Sequence, residues 1–114
     1  MKRDKSMDYK LNITFHANQM LDEIVYYLIY QLHSREVAEK LLNQLDEIYI
    51  RLEESPYQFP KCHDFNLEKS GYREAFILNY SYILIFKIQD HNVYVMGIFH
   101  RLENYSKKLE AIYI

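Results

Sequence analysis

His100 and Arg101 stand side by side near the end of the chain, with Tyr105 a little further on and Arg73 well upstream. A histidine titrates near neutrality and can give or take a proton. An arginine offers a planar fork of donors suited to bidentate contact with phosphate or carboxylate. Together these types could move a proton beside a bound anion. Each also has a plainer reading. A histidine closing a strand, on the same face as Ile98, can simply pack and hydrogen-bond. Arg73, next to Tyr72, can form an ion pair or stack on a tyrosine ring. Cys62-His63-Asp64 brings together thiol, imidazole and carboxylate, but no second cysteine or zinc-type spacing accompanies it. Gly71 and Gly97 are the only glycines, so there is no glycine-rich phosphate loop. No metal and no cofactor is implied. The acid pairs Asp22-Glu23 and Asp46-Glu47 read as solvated helix faces. The many tyrosines could stack bases, yet such residues more often complete a core or an interface.

The elements that must position these residues follow from periodicity. Leu11, Ile13 and Phe15 alternate with polar residues and predict a short strand. Leu21, Ile24, Val25, Leu28, Ile29 and Leu32 fall at helical spacing. Ser34 is placed to cap a second helix, with Glu36 in its first turn. That helix carries Ala38, Leu41, Leu42, Leu45, Ile48, Tyr49 and Leu52. The short gap between the two predicts an antiparallel hairpin. Pro56 and Pro60 end the helical region, and residues 53–70 read as a long loop. Three apolar runs follow, at Tyr72–Leu78, Tyr80–Ile88 and Val93–Phe99, rich in β-branched and aromatic residues. Asp90-His91-Asn92 predicts a hairpin turn, and Leu78-Asn79-Tyr80 a second. Asn104 could cap a last short helix carrying Leu109 and Ile112. The expected fold is α+β, in the order β-α-α-β-β-β-α. A two-helix hairpin packs on one face of a mostly antiparallel four-stranded sheet. The first strand joins at the edge or beside a central strand.

With 114 residues, the chain has material for one domain spanning 1–114 and one core. Two glycines and two prolines argue against disorder and against a loop-rich scaffold. One cysteine cannot make an internal disulfide, which fits a reducing compartment. No apolar run is long enough to cross a membrane. Residues 1–6 are charged and lack a following apolar stretch, so no secretory leader is expected. Cytoplasm is the default. The formal charge of −2 does not announce a nucleic-acid binder. The charge is unevenly spread: residues 17–54 hold eight acids and three bases, leaving eight acids and eleven bases elsewhere. If these regions form different faces, an acidic partner could still meet the basic one.

Several spaced signatures resemble the RelE/ParE superfamily. Tyr9-Lys10-Leu11-Asn12-Ile13-Thr14 and Ala17 resemble its opening strand and helix entry. Leu52-Glu53-Glu54-Ser55-Pro56 resembles its exit from the second helix, and Gly71-Tyr72-Arg73 its "GYR". Asn79-Tyr80 through Ile83-Leu84-Ile85-Phe86 resembles the next strand, with Phe86 where tyrosine is common. Ile98-Phe99-His100-Arg101, Asn104-Tyr105 and Leu109 resemble its ending. The matches run in order from 9 to 109. The resemblance implies the toxin of a type II toxin–antitoxin module, of the plasmid-stabilising kind, acting in the cytoplasm and neutralised by a cognate antitoxin. Within the family one branch poisons DNA gyrase without an active site. The other cleaves mRNA on the ribosome. For the second, the chain offers Arg73, His100, Arg101 and Tyr105 as catalytic candidates, and the resemblance puts His100 where some of these nucleases carry an essential histidine. A base would take the 2′-hydroxyl proton, cations would hold the phosphate, and an acid would protonate the leaving oxygen. The usual arginine near the start of the third strand is missing, since that stretch reads Asn79-Tyr80-Ser81-Tyr82. That gap and the acidic net charge favour the gyrase branch, with an inert antitoxin-binding relative as a third reading. An uncovered apolar surface could also make the free chain a homodimer.

Overall fold

A computed structural model describes residues 8–113. The N-terminal segment read above as no secretory leader lies outside them. Strand β1 (Lys10–Ile13) leads into helix α1 (Phe15–Tyr26), which continues as a π-helical turn over Tyr27–Gln31. Helix α2 (Arg35–Glu54) follows, then a 3₁₀ turn (Pro56–Gln58) and a short helix α3 (Phe65–Lys69). Strands β2 (Arg73–Ile77), β3 (Tyr82–Gln89) and β4 (Asn92–His100) precede helix α4 (Tyr105–Tyr113). The expected α+β architecture and element order are present. The sheet order is β1-β4-β3-β2, with β1 parallel to β4 and the other pairs antiparallel.

Four local expectations are corrected. Phe15 does not extend β1 but opens α1, 74% exposed, because Thr14 turns the chain: its Oγ1 accepts the Ala17 N–H at 3.1 Å. Ser34 stands at the start of α2 but does not cap it; its hydroxyl donates to Leu32 O at 3.2 Å. The stretch 53–70 is not all loop, since Asp64 Oδ1 accepts the Leu67 N–H at 3.1 Å and starts α3. The first helix is not regular to its end, because the π turn inserts one residue and carries Leu32 N–H back to Tyr27 O at 3.0 Å.

The sheet is covered on both faces. Ala38, Leu41, Leu45, Ile48 and Leu52 recur on the buried side of α2. They pack with Ala75, Ile77, Leu84, Phe86, Val93 and Val95 on one sheet face. Ile83, Ile85, Met96 and Phe99 point the other way, against Leu67 of α3 and Leu109 of α4. Burial of so many large side chains is the main force holding the layers, at roughly 1.5–3 kcal/mol each before chain entropy. A bulge interrupts β4: Ile85 pairs with Gly97 but Phe86 with Val95, so Met96 has no partner. The extra residue shifts the alternation. Val93 and Val95 face α2 before it, and Ile98 does so after it.

Candidate functional site

The bulge decides where His100 goes. His100 pairs with Tyr82, and both take the face of Ile98 and α2. Beyond Ile13, β1 no longer covers the edge of β4. Helix α1 runs beside that edge instead, and the Ile98 N–H finds only the thioether of Met20, at 3.4 Å. Between α1, α4 and the end of β4 opens a cleft of about 730 Å³. Its walls include Met20, Ile24, Tyr27, Ile98, Leu102 and Ile112, and its polar groups are Glu23, Tyr82, His100, Glu103 and Lys108.

His100 is held firmly there. Its backbone N–H donates to Glu103 Oε2 at 2.8 Å, and its Nδ1 accepts the Leu102 N–H at 3.2 Å. The neutral ring in this arrangement carries its proton on Nε2. The ring stands edge-on to Tyr82, centroids 5.3 Å apart. Lys108 Nζ donates to the other oxygen of Glu103 at 2.5 Å. Burial alone would raise the Glu103 carboxyl. Lys108 and the His100 N–H outweigh it, leaving the pKa below the usual carboxylate value. Burial, then the nearby Tyr27 and Glu103, raise the Tyr82 phenol. The floor of the cleft is therefore a neutral phenol and an imidazole beside one ion pair.

The other candidates lie elsewhere. Arg73 shares the sheet face of His100 but pairs with Phe86, four residues along β3 from Tyr82, the partner of His100. Strand rise and spacing put their Cα atoms roughly 16 Å apart. Buried Leu84, Ala75 and Ile98 fill the space between them. The guanidinium of Arg73 donates to Phe59 O and lies 4.9 Å from the centre of the Tyr57 ring. Arg101 is exposed in the turn after β4, its N–H bonded to Ser81 O at 3.0 Å. Tyr105 is on the other side of the sheet, 6.2 Å from the Phe99 ring. Its phenol is raised by burial and then by Glu74, Asp64 and Cys62. The Cys62 thiol is buried and pushed well up, by burial first and then by Glu74 and Asp64. It is thus a poor nucleophile. Among the described residues no cluster of three His, Cys, Asp or Glu could hold a metal ion. Sequence reasoning did not find Glu103, Lys108 or Tyr82. Glu103 and Lys108 sit five apart across a turn and a helix start, a spacing that carries no signal before the turn is known.

The family described as "ParE toxin of type II toxin-antitoxin system, parDE" matches residues 11–105. The chain belongs to the ParE toxin family. No curated protein sequence matches it. Among solved structures it is similar to "Chromosomal ParDE TA system from P. aeruginosa". That likeness has a TM-score of 0.66 at 18% identity, covering 82% of this chain and 97% of that one. At that identity it speaks for the fold, which is RelE/ParE-like. Family membership makes the protein a toxin-type component of a type II module, with an antitoxin as its expected counterpart. No helix among the described residues is long and apolar enough to cross a membrane.

Proposed function

We propose that this ParE-family chain arrests growth in the cytoplasm by binding DNA gyrase rather than by cutting RNA. The observation that carries this is the separation of the candidate groups. Arg73 and His100, on the strands flanking β3, pair with it four residues apart, and Tyr105 is on the far face. Cleavage needs base, cation and acid within hydrogen-bond reach of one phosphate. A binding toxin needs only a surface. The test is inducible expression in a sensitive host. The expected outcome is filamentation and DNA-damage signalling with transcripts intact. Purified gyrase should lose supercoiling activity when the chain is added. Cleaved transcripts with rapid loss of protein synthesis would overturn the reading in favour of the ribosome-dependent nuclease. In that case His100→Ala and Arg73→Ala should each abolish toxicity. No growth defect at all would leave an antitoxin-binding relative.

The same proposal gives the α1–α4 cleft to the antitoxin. Apolar walls at the end of β4, between α1 and α4, suit a segment that lays a helix along the cleft. Leu102, 76% exposed, and Tyr27 would be its anchors. Leu102→Asp should end co-purification with the product of an adjoining antitoxin-type reading frame. A homodimer of the free chain would use the same uncovered surface, and sedimentation of the chain alone reads it directly.

A further inference from the structure

Away from the cleft, near the end of α2, three cations gather. Arg51 lies in the last turn of α2, 4.5 Å from the centre of the Phe59 ring. Both its Nε and Nη2 donate to Gln58 Oε1, at 3.0 and 2.8 Å. Arg73 donates one N–H to Phe59 O and stacks on Tyr57. Lys61 bridges to Arg73 as an antiparallel partner, so the two side chains share a face. Tyr57 is 59% exposed, and the Tyr9 ring stands edge-on to it at 6.4 Å. Among the described residues none of the three cations makes an ion pair.

The negative end of the α2 dipole accounts for Arg51. It does not account for Arg73 and Lys61 together. The Tyr57 ring and the Phe59 carbonyl hold the Arg73 guanidinium in one orientation while engaging a single donor. The rest of its donor fork is left over, beside the solvent-exposed Lys61 ammonium. A fixed guanidinium loses less freedom on meeting a carboxylate than a mobile one. An exposed phenol ring next to it offers apolar area for the residue that follows the acid. A nucleic-acid strand fits less well. A polyanion needs a longer run of cations than these three. We propose that the Arg73–Lys61–Tyr57 corner is a docking point for an acidic segment of a partner protein, one that places a carboxylate on Arg73 and Lys61 and an apolar side chain on Tyr57. This goes beyond the toxin reading and stands without it.

The test is an NMR titration of the isotope-labelled full chain with a short synthetic peptide of alternating Glu and Leu. Shifts should concentrate at the Arg73 Nε–H, Tyr57 and Lys61. They should vanish with the matching Gln–Leu peptide. Arg73→Gln should weaken binding by about tenfold. Because Arg73 also ties down Phe59, Lys61→Gln is the companion variant; its side chain is exposed, and it should weaken binding without moving the melting temperature. Scattered shifts, equal response to the neutral peptide, or tighter binding of a single-stranded oligonucleotide at these residues would each overturn the proposal.

Discussion

Glu74, wholly buried on β2, meets through its Oε2 the ring Nδ1 of His63, whose side chain is 79% exposed. The His63 backbone N–H adds a second bond to the same oxygen at 3.3 Å. Oε1 has no partner. The carboxyl thus reaches solvent-side chemistry through one exposed imidazole. His63→Ala leaves a buried acceptor with less than it had, and should cost about 1–3 kcal/mol. Glu74→Met removes the demand itself at similar size, and should be level or stabilising. Urea unfolding of both variants checks the ordering. A His63→Ala protein as stable as the parent would mean that the imidazole contributes nothing to holding Glu74.

Gly97 follows the unpaired Met96 in the bulge, with its missing side chain directed at a ring. A Cβ there would sit 2.5 Å from Phe99 Cε2 and 2.9 Å from Cζ. Phe99 is buried against Tyr105 and cannot swing clear. Gly97→Ala should therefore destabilise by about 1–3 kcal/mol. Adding Phe99→Leu should recover part of that loss, which thermal melts of the single and double variants would show. Equal losses in both would place the strain elsewhere.

The Tyr49 hydroxyl is buried on α2 and has no hydrogen bond among the described residues. Burial, and then Asp46, push its pKa up to about 12. An unfolded tyrosine ionises near the ordinary value of 10.0, so the native state resists a proton loss that the unfolded chain allows. Stability should be unaffected by this group below pH 10 and should fall as pH rises toward about 12. Tyr49→Phe should be neutral or stabilising at neutral pH, by at most about 1 kcal/mol. It should also lose less stability than the parent in the alkaline range. A clear loss at neutral pH would mean that the hydroxyl has a partner after all.

Periodicity made the layers legible and left the site obscure, for physical reasons that differ from residue to residue. The apolar repeat of α2 is long and regular, and burial follows it. The strands announce themselves through Ile83, Ile85, Val93 and Val95. The π turn gives no warning, because no proline or glycine marks Tyr27–Gln31; Leu28 is its one buried residue. The bulge is equally silent, since Met96-Gly97 reads as ordinary strand. Yet it flips the face that His100 takes: a strict alternation from Val93 would have put His100 on the face of Ile83 and Leu109, away from α2. The turn at Leu78–Tyr80 was legible, but its cost was not: all three residues have positive φ, at 53°, 54° and 73°. Gln44 helps hold it, accepting the Leu78 N–H at 2.8 Å. Long-range pairings such as His63–Glu74 and Arg73–Tyr57 belong to the folded chain and have no signature in spacing.

Glu103 links the acid response of the protein to the shape of its cleft. Its carboxyl receives Lys108 on one oxygen and the His100 N–H on the other, and its pKa is depressed below the ordinary carboxylate value. A depressed carboxyl stabilises the fold above its unfolded pKa, and that contribution is lost as pH falls through the folded value. The parent should therefore lose part of its stability on acidification, together with the bond that fixes the 100–104 turn. Glu103→Gln should show a shallower acid loss in a series of urea midpoints across that range. Hydrogen exchange at the His100 amide should quicken in the parent at low pH and be less pH-sensitive, beyond the intrinsic change, in the variant. If Lys108→Met leaves the acid limb of the parent unchanged, the ion pair is not the cause, and the His100 N–H alone sets the carboxyl.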